Sequence, residues 1–334
     1  MTKLGIVVIG RNEGERLVNC LRALPADTVI VYVDSGSSDG SVAAATELGA
    51  QVLALDMSSP FTAARARNAG RAALPSSCAF IQFVDGDCTI QPGWLATARA
   101  ALDNDPTLAA VFGRRREIRP EASRYNWLCD LEWAVPPGPV LYFGGDVMLR
   151  AAALDQAGGY PDEMIAGEEP DLALRLRARG WKLACLPAEM TRHDAAITRF
   201  SQWWRRMIRS GHAYAELAAR HTDSAGSDYR KRLRGTLFWG VALPAAATIL
   251  LAAAAINGST VFAIAGGIFL LLPLAQLARL ALRETRRLPF ALALRLATFL
   301  MLGKPAQSIG IARFWLGRVR GRRSALIEYK GEAA

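Results

Sequence analysis

Two uncharged apolar stretches in the last third of the chain constrain its fold more than any other feature. Residues 235–256 and 260–278 carry no charged side chain across 22 and 19 positions, and only Asn257, Gly258 and Ser259 separate them. Each is close to the roughly 20 residues a helix needs to cross the hydrocarbon core of a bilayer. The pattern predicts a transmembrane hairpin over about 235–256 and 260–282. Arg230, Lys231, Arg232 and Arg234 precede it and Arg279, Arg283, Arg286 and Arg287 follow it, while the connector is uncharged. An excess of basic residues marks the cytoplasmic side, so both ends of the hairpin are expected there. Residues 288–303 contain Pro289 and Arg295 and read as an amphipathic helix lying on the inner leaflet rather than a third span. Arg313, Arg318, Arg320, Arg322 and Arg323 form a basic tail suited to anionic headgroups. This divides the chain into a cytoplasmic domain, 1–225, and a membrane region, 226–334.

The charge follows the same division. A net charge of +10 over 334 residues would by itself suggest a nucleic-acid binder. Up to residue 200, however, 20 Lys/Arg meet 24 Asp/Glu, a net of −4, whereas the remaining 134 residues hold 20 against 6, a net of +14. The positive charge therefore borders the apolar stretches, which points to a membrane surface and away from nucleic acid. Cys20, Cys78, Cys88, Cys129 and Cys185 form no C-x-x-C pair, so reduced, mostly buried thiols are expected rather than a disulfide framework. The first apolar run, 4–10, is too short for the apolar region of a signal peptide, which agrees with a cytoplasmic location for the N-terminal part.

That part alternates strand and helix patterns. The β-branched run 4–9 reads as a strand buried on both faces, followed by an amphipathic stretch to Leu24. Strands are predicted over 29–33, 51–55, 79–84, 108–112 and 182–186, and helices over 42–48, 61–73, 92–104, 168–179 and 201–219. A short strand and helix follow Gly144-Gly145-Asp146. The segment with Pro120, Pro136, Pro137 and Pro139 reads as less regular and suited to shaping an acceptor site. The alternation predicts an α/β fold with a mostly parallel sheet and flanking helices, whose ligands bind at the carboxyl ends of the strands. Asp34 and the triplet Asp85-Gly86-Asp87 both fall at such ends.

Asp85 and Asp87 place two carboxylates on nearly the same side of a turn, which suits a divalent cation with positions open to phosphate oxygens. The same triplet also occurs as an ordinary solvated turn. No G-x-G-x-x-G follows the first strand and no G-x-x-x-x-G-K-[ST] occurs anywhere, so a glycine cradle for phosphate is absent. A metal would then hold a diphosphate, and the ligand class becomes a nucleotide diphosphate carrying a group to be transferred.

The motifs resemble those of family 2 glycosyltransferases of the GT-A fold, inverting enzymes, over roughly residues 1–225. The resemblance rests on Ile9-Gly10-Arg11-Asn12-Glu13, the turn from Val33 through Asp34 to Ser41, Ala64-Arg65-Ala66-Arg67-Asn68-Ala69-Gly70, Val84-Asp85-Gly86-Asp87, Gly144-Gly145-Asp146 and Gly167-Glu168-Glu169-Pro170-Asp171-Leu172, in this order. It implies a GT-A nucleotide-diphospho-sugar transferase fold with a C-terminal α-helical membrane segment appended. It further implies that Glu13 and Asp34 contact the nucleoside and that Arg67 lies near the nucleotide, the plain alternatives being a helix-start carboxylate, a turn former and a surface cation, and that Asp85 and Asp87 hold Mn²⁺ or Mg²⁺ and the diphosphate. Asp146 would lie near the donor sugar or cap a turn. His193, 24 residues after Glu169, would complete the metal site or be a structural histidine. Ser35 stands where the family often has a second Asp. Gln202-Trp203-Trp204-Arg205-Arg206 departs from the pattern of polymerising relatives at Arg206, so chain polymerisation is not inferred.

Glu169 matches the carboxylate that takes the acceptor's proton, and an alcohol attacking an anomeric carbon needs such a base opposite the departing diphosphate. Glu168 beside it keeps the choice of base open, and both glutamates also favour the N-terminus of the helix they begin. Asp171 is expected to pair with Arg175 one turn on. The expected function is transfer of a sugar from a nucleotide-diphosphate donor, most often a UDP-sugar in this family, to a lipid or lipid-linked saccharide acceptor of envelope glycolipid or polysaccharide synthesis. The enzyme would sit in the inner membrane, multi-pass, with its catalytic domain cytoplasmic. Two alternatives are a polyprenyl-phosphate acceptor, whose ionised nucleophile needs no base, and a membrane scaffold with a degenerate fold.

Overall fold

The apolar run after Lys3 forms β1 (Lys3–Gly10), whose Ile6, Val7 and Val8 are wholly buried, as a strand covered by helices on both faces must be. In the computed structural model, residues 3–223, 226–321 and 327–328 are described, and they divide into one compact unit through Arg199 and another from Phe200. The division groups residues 200–220 with the C-terminal unit, whereas the sequence reading ends its first domain at 225.

In the N-terminal unit, β1 is followed by α1 (Glu15–Arg22), β2 (Val29–Asp34), α2 (Ser41–Glu47), β3 (Gln51–Ala54), α3 (Ala63–Ala73) and β4 (Cys78–Asp85). Next come β5 (Cys88–Ile90), α4 (Trp94–Asn104), β6 (Leu108–Glu117), α5 (Arg124–Glu132), β7 (Gly138–Pro139), β8 (Val147–Arg150), α6 (Ala151–Gln156), α7 (Glu168–Ala178) and β9 (Lys182–His193). The sheet order is β3-β2-β1-β4-β8-β6-β9-β5, with β7 also on β9. β3, β2, β1 and β4 run parallel, as do β6 and β9, while β8 is antiparallel to both neighbours. This is the mixed, mostly parallel GT-A architecture that the motifs imply.

Three features differ from the sequence reading. β6 and β9 extend well past the predicted 112 and 186, because strand pairing at the rim continues through Arg114, Arg115, Arg116, Glu189 and Arg192, where no apolar pattern marks it. Cys88–Ile90 is a strand because it adds to the edge of β9, pairing Cys88 with His193. The proline-containing region holds α5, whose N-cap Ser123 accepts hydrogen bonds from the Tyr125 and Asn126 amides. Its prolines lie outside the helix, where they do not break it.

α3 packs on the parallel strands through Gly70, where an added Cβ would collide with Val7 and press on Val33. Gly70→Ala is therefore expected to destabilise the N-terminal unit by about 1–3 kcal/mol, the range for overfilling a packed core. A lower midpoint in chemical denaturation followed by tryptophan fluorescence would show it, and an unchanged midpoint would refute the tight contact. All five cysteines are buried and free, as expected from their spacing.

The C-terminal unit is helical. It comprises α8 (Phe200–Arg220), α9 (Ser227–Leu237), a π-helical turn at Phe238–Ala242, α10 (Leu243–Asn257), α11 (Thr260–Glu284) and α12 (Phe290–Val319). Among the described residues, two helical segments are long and apolar enough to cross a membrane, Ser227–Asn257 with 31 residues and Thr260–Glu284 with 25. The turn between them has Gly258 in the left-handed region and Ser259 capping α11 by accepting from the Phe262 amide. The helix expected over 288–303 instead runs on to Val319 and takes in Arg313 and Arg318 of the basic tail. It continues because its small residues pack against α8: Gly310 meets the Ile208 carbonyl, and Gly211 meets the backbone of Gln307. A sequence pattern judged against a bilayer alone does not include that protein partner. Arg322 and Arg323 lie outside the described residues.

Candidate active site

Parallel strands deliver their carboxyl ends to one rim, and acidic residues that follow those strands gather there. At the outer side of the rim, the loops after β1 and β2 are tied together. The Asn12 amide donates to Ser37 Oγ at 2.9 Å, the Ser38 amide donates to Asn12 Oδ1 at 2.8 Å, and the Gly14 amide donates to Asp39 Oδ2 at 3.1 Å. Asn12 takes φ +54, a conformation asparagine tolerates better than most residues. Asp34 is buried and accepts from the Gly36 and Ser37 amides and from the Tyr32 hydroxyl. Its carboxylate shapes the turn on which the rim depends. Glu13 pairs with Arg16 at 2.8 Å.

The centre of the rim is a cluster of charge. Arg67 of α3 lies buried, with Nη2 2.9 Å from Asp85 and Nη1 3.1 Å from Glu168 and 3.3 Å from Glu169. Arg115 of β6 pairs with Asp146 at 2.8 Å and with Asp85 at 3.5 Å. Asp146 also accepts from the Asp85 amide at 3.0 Å and from Thr191 Oγ1 at 2.7 Å, and its side chain is fully enclosed. Gly145 must lack a side chain: a Cβ there would lie 2.5 Å from Arg67 Nη2 and 2.7 Å from Asp85 Oδ2.

Where β9 meets β5, His193 Nε2 lies 3.1 Å from Asp87 Oδ2, both groups buried. Burial, reinforced by the charge of Arg115, pushes the His193 imidazole down to about 4, so the ring is neutral near pH 7 and has a lone pair to offer. The ligand atoms of Asp87, Cys88 and His193 lie within 4.8 Å of one another, as do those of Asp85, Cys88 and Asp146. Burial holds the Cys88 thiol well above its usual range, so sulfur stays protonated and is a poor partner for a hard cation. Carboxylate oxygens with one neutral imidazole suit Mn²⁺ or a similar cation. Carboxylates are concentrated here: Asp85, Asp146, Glu168 and Glu169 gather around the Arg67 and Arg115 guanidiniums, and Asp87 lies beside His193.

Glu168 and Glu169 open α7 after Gly167, where the helix N-terminus favours carboxylates by about 0.3–1 kcal/mol each. Glu168 is 4% exposed and Glu169 17%, so only the second reaches outward appreciably. Burial first, and the Glu168 carboxylate second, push Glu169 up to about 7. Asp171 forms the expected pair with Arg175, at 2.7 Å.

The structure thus brings Arg67, Asp85, Asp87, Asp146, Glu168, Glu169 and His193 into one connected cluster, with Asp34 and Glu13 on the loops beside it. Arg115 and Trp133 were not singled out from sequence. Arg115 is the middle of three consecutive arginines, and the alternation of side chains along a strand was the one signal available to separate it from its neighbours. Trp133 lies edge-on to His193, ring centres 4.7 Å apart, with the Arg115 guanidinium 5.5 Å above its ring. No local pattern marks it.

Residues 5–139 match the family model described as glycosyl transferase family 2. A pre-mycofactocin glycosyltransferase of Mycobacterium tuberculosis is 31% identical over 237 residues, 65% of this chain and 48% of the relative. The chain spans about half the length of the curated relatives of this kind that it matches. Among solved structures, a mannosyltransferase from Pyrobaculum calidifontis in complex with GDP-Man and Mn²⁺ superposes with a TM-score of 0.60 at 21% identity, over 93% of this chain and 87% of the other. Glucosyl-3-phosphoglycerate synthase from Mycobacterium tuberculosis, in complex with Mn²⁺ and UDP-glucose, gives 0.50 at 19% identity over 67% and 81%.

Proposed function

This chain carries a family 2 glycosyltransferase domain, and from that premise we propose that it transfers a sugar from a nucleoside-diphosphate sugar to a lipid or lipid-linked saccharide, with inversion at the anomeric carbon. The observation that carries the proposal is the buried Asp87–His193 pair beside Asp85, at the carboxyl rim of the parallel strands, with Asp85 joined to Glu169 through Arg67. The donor class is supported by the GDP-Man and UDP-glucose complexes of the two structural neighbours. The reading favours a UDP-sugar.

Asp85, Asp87 and His193 would hold Mn²⁺ or Mg²⁺. When bound, that cation supplies positive charge to the diphosphate as the sugar–oxygen bond breaks. Arg67 and Arg115 add fixed charge on the same side, oriented by Glu168 and Asp146. The loops carrying Glu13, Asn12 and Asp34 form the nucleoside end. Glu169, the more exposed of the two glutamates, takes the proton as the acceptor oxygen forms its bond to the anomeric carbon and the diphosphate leaves from the opposite face. Its raised pKa makes it a better base near neutrality than an ordinary carboxylate.

The acceptor class rests on the C-terminal unit. Ile249, Ile256, Val261, Ile264, Leu271 and Leu274 are each more than 60% exposed, an apolar surface that water does not favour and a bilayer does. The basic residues at 230–234 and 279–287 would place both ends of the hairpin on the cytoplasmic face of the inner membrane, the side on which nucleotide sugars are found. A soluble acceptor needs no such anchor.

The test is release of nucleoside diphosphate by the full chain in detergent with Mn²⁺, from a panel of nucleotide sugars, with and without total membrane lipid. Release from one donor, stimulated by lipid and abolished by a chelator, is the expected result. A folded sample that releases diphosphate from no donor in the presence of lipid would overturn the proposal.

A further inference from the structure

β6 and β9 end together, with Glu117 and His193 as register partners. Beyond His193 the chain turns through Asp194, Ala195, Ala196 and Ile197, and Ala196 sits at φ +50, a region that a residue with a Cβ enters at a cost. Such a conformation persists only where the surroundings over-determine it. Here they do. Glu117 Oε2 accepts from the Ala195 amide at 2.9 Å, and Asn126 Oδ1 accepts from the Ile197 amide at 3.1 Å. Ser123 Oγ donates to the Ile197 carbonyl at 2.5 Å, and Asn126 Nδ2 donates to Glu117 Oε1 at 3.2 Å, which joins the two anchors. The Arg119 amide completes the Glu117 carboxylate at 3.1 Å. Glu117 and Asn126 are 4% and 2% exposed, so these bonds are made away from water, where each satisfied group is costly to leave unpaired.

We propose that Glu117, Asn126 and Ser123 form a clamp that sets the direction in which the chain leaves β9 and thereby holds the His193 imidazole against Asp87. They are positioning residues, and none of them touches the ligand. The inference rests on the reading above, in which Asp87 and His193 share a divalent cation. A hydrogen-bonded second layer commonly changes metal affinity 10- to 100-fold when removed, because it fixes the orientation of the ligand ring. A simple loop anchor has no need of a strained alanine three residues from that ring. In the clamp, the left-handed turn is what brings the Ala195 and Ile197 amides back onto β6 and α5.

The experiment uses the full chain in detergent and Mn²⁺ alone, followed by electron paramagnetic resonance, which reads both affinity and coupling to imidazole nitrogen. The wild-type protein is expected to bind Mn²⁺ with nitrogen coupling that disappears in His193→Ala. Asn126→Ala is expected to lose the coupling and bind about tenfold more weakly, while its circular dichroism and melting show a folded chain. Asn126→Ala combined with Ala196→Gly is expected to regain the coupling, because glycine adopts φ +50 without the Cβ penalty. If Asn126→Ala does not fold, Ser123→Ala, which removes one anchor, should show a smaller loss in the same direction. Folded single variants that keep the coupling and an affinity within twofold of wild type would overturn the clamp. Wild-type Mn²⁺ binding without nitrogen coupling would remove His193 from the site and this inference with it, leaving the diphosphate reading intact. No Mn²⁺ binding at all would overturn the reading beneath it.

Discussion

Asp87→Ala is expected to lower sugar transfer by about a thousandfold or more while leaving the fold in place. The side chain is buried at the rim, faces His193 Nε2 at 3.1 Å and follows a turn whose backbone is held by the Gly86 amide bonding to Ile9. Truncation removes one carboxylate from a rim that keeps four others, Asp85, Asp146, Glu168 and Glu169, on Arg67 and Arg115. The loss falls on chemistry, because an electrophilic stabilisation of the leaving diphosphate worth several kcal/mol corresponds to about three powers of ten in rate. The measurement is diphosphate release at saturating Mn²⁺ together with Mn²⁺ affinity. Activity within tenfold of wild type would show that Asp87 is not at the reacting centre. Asp85→Ala is a less clean test, since it leaves Arg67 and Arg115 without a shared partner.

Glu169→Gln separates the possible acceptors. If the nucleophile is a hydroxyl, loss of the base is expected to lower kcat by about 10²- to 10⁴-fold with little effect on donor affinity. If the nucleophile is a phosphate, already ionised, activity survives and the polyprenyl-phosphate reading replaces the hydroxyl one. The wild-type pH profile offers an independent check. Burial and Glu168 push Glu169 up to about 7, and the working form is the carboxylate. Activity should therefore rise with pH through about 7 and fall to about a tenth of its plateau at pH 6, one unit below the pKa. In Glu168→Gln the like charge is gone, so the inflection should move down. A profile that is flat from pH 5 to 8 would exclude Glu169 as the base.

Much of the rim was legible in the sequence because the GT-A fold uses strand ends that carry local patterns. The β-branched run of β1, the alternation up to β4, and the acidic residues immediately after β2 and β4 are short-range features. So are the length and lack of charge of the two apolar stretches, 235–256 and 260–278, and the i, i+4 pairing of Asp171 with Arg175. The extension of β9 to His193 was not legible, since Glu189, Arg192 and His193 look like a polar loop until β6 and β5 supply hydrogen-bonding partners. Arg115 and Trp133 were hidden for the same reason, each being defined by what it meets across the fold. α12 ran past its expected end because α8 covers a face that the sequence offered to lipid.

The sequence by itself determined the class of fold, the order of its elements from β1 to β4, the presence of two helices fit for a bilayer and the carboxylates available at the rim, all of which follow from periodicity, charge and spacing along the chain. The tertiary structure alone decided which of those groups meet. It turned Asp34 into its own loop, enclosed Asp146 behind Arg115, set Glu169 outward of Glu168 on a shared arginine, and brought His193 onto Asp87 through a clamp from β6 and α5. The physical reason is that ionisation, burial and hydrogen bonding depend on neighbours distant in sequence, and a carboxylate becomes a turn, a ligand or a base only when those neighbours are in place.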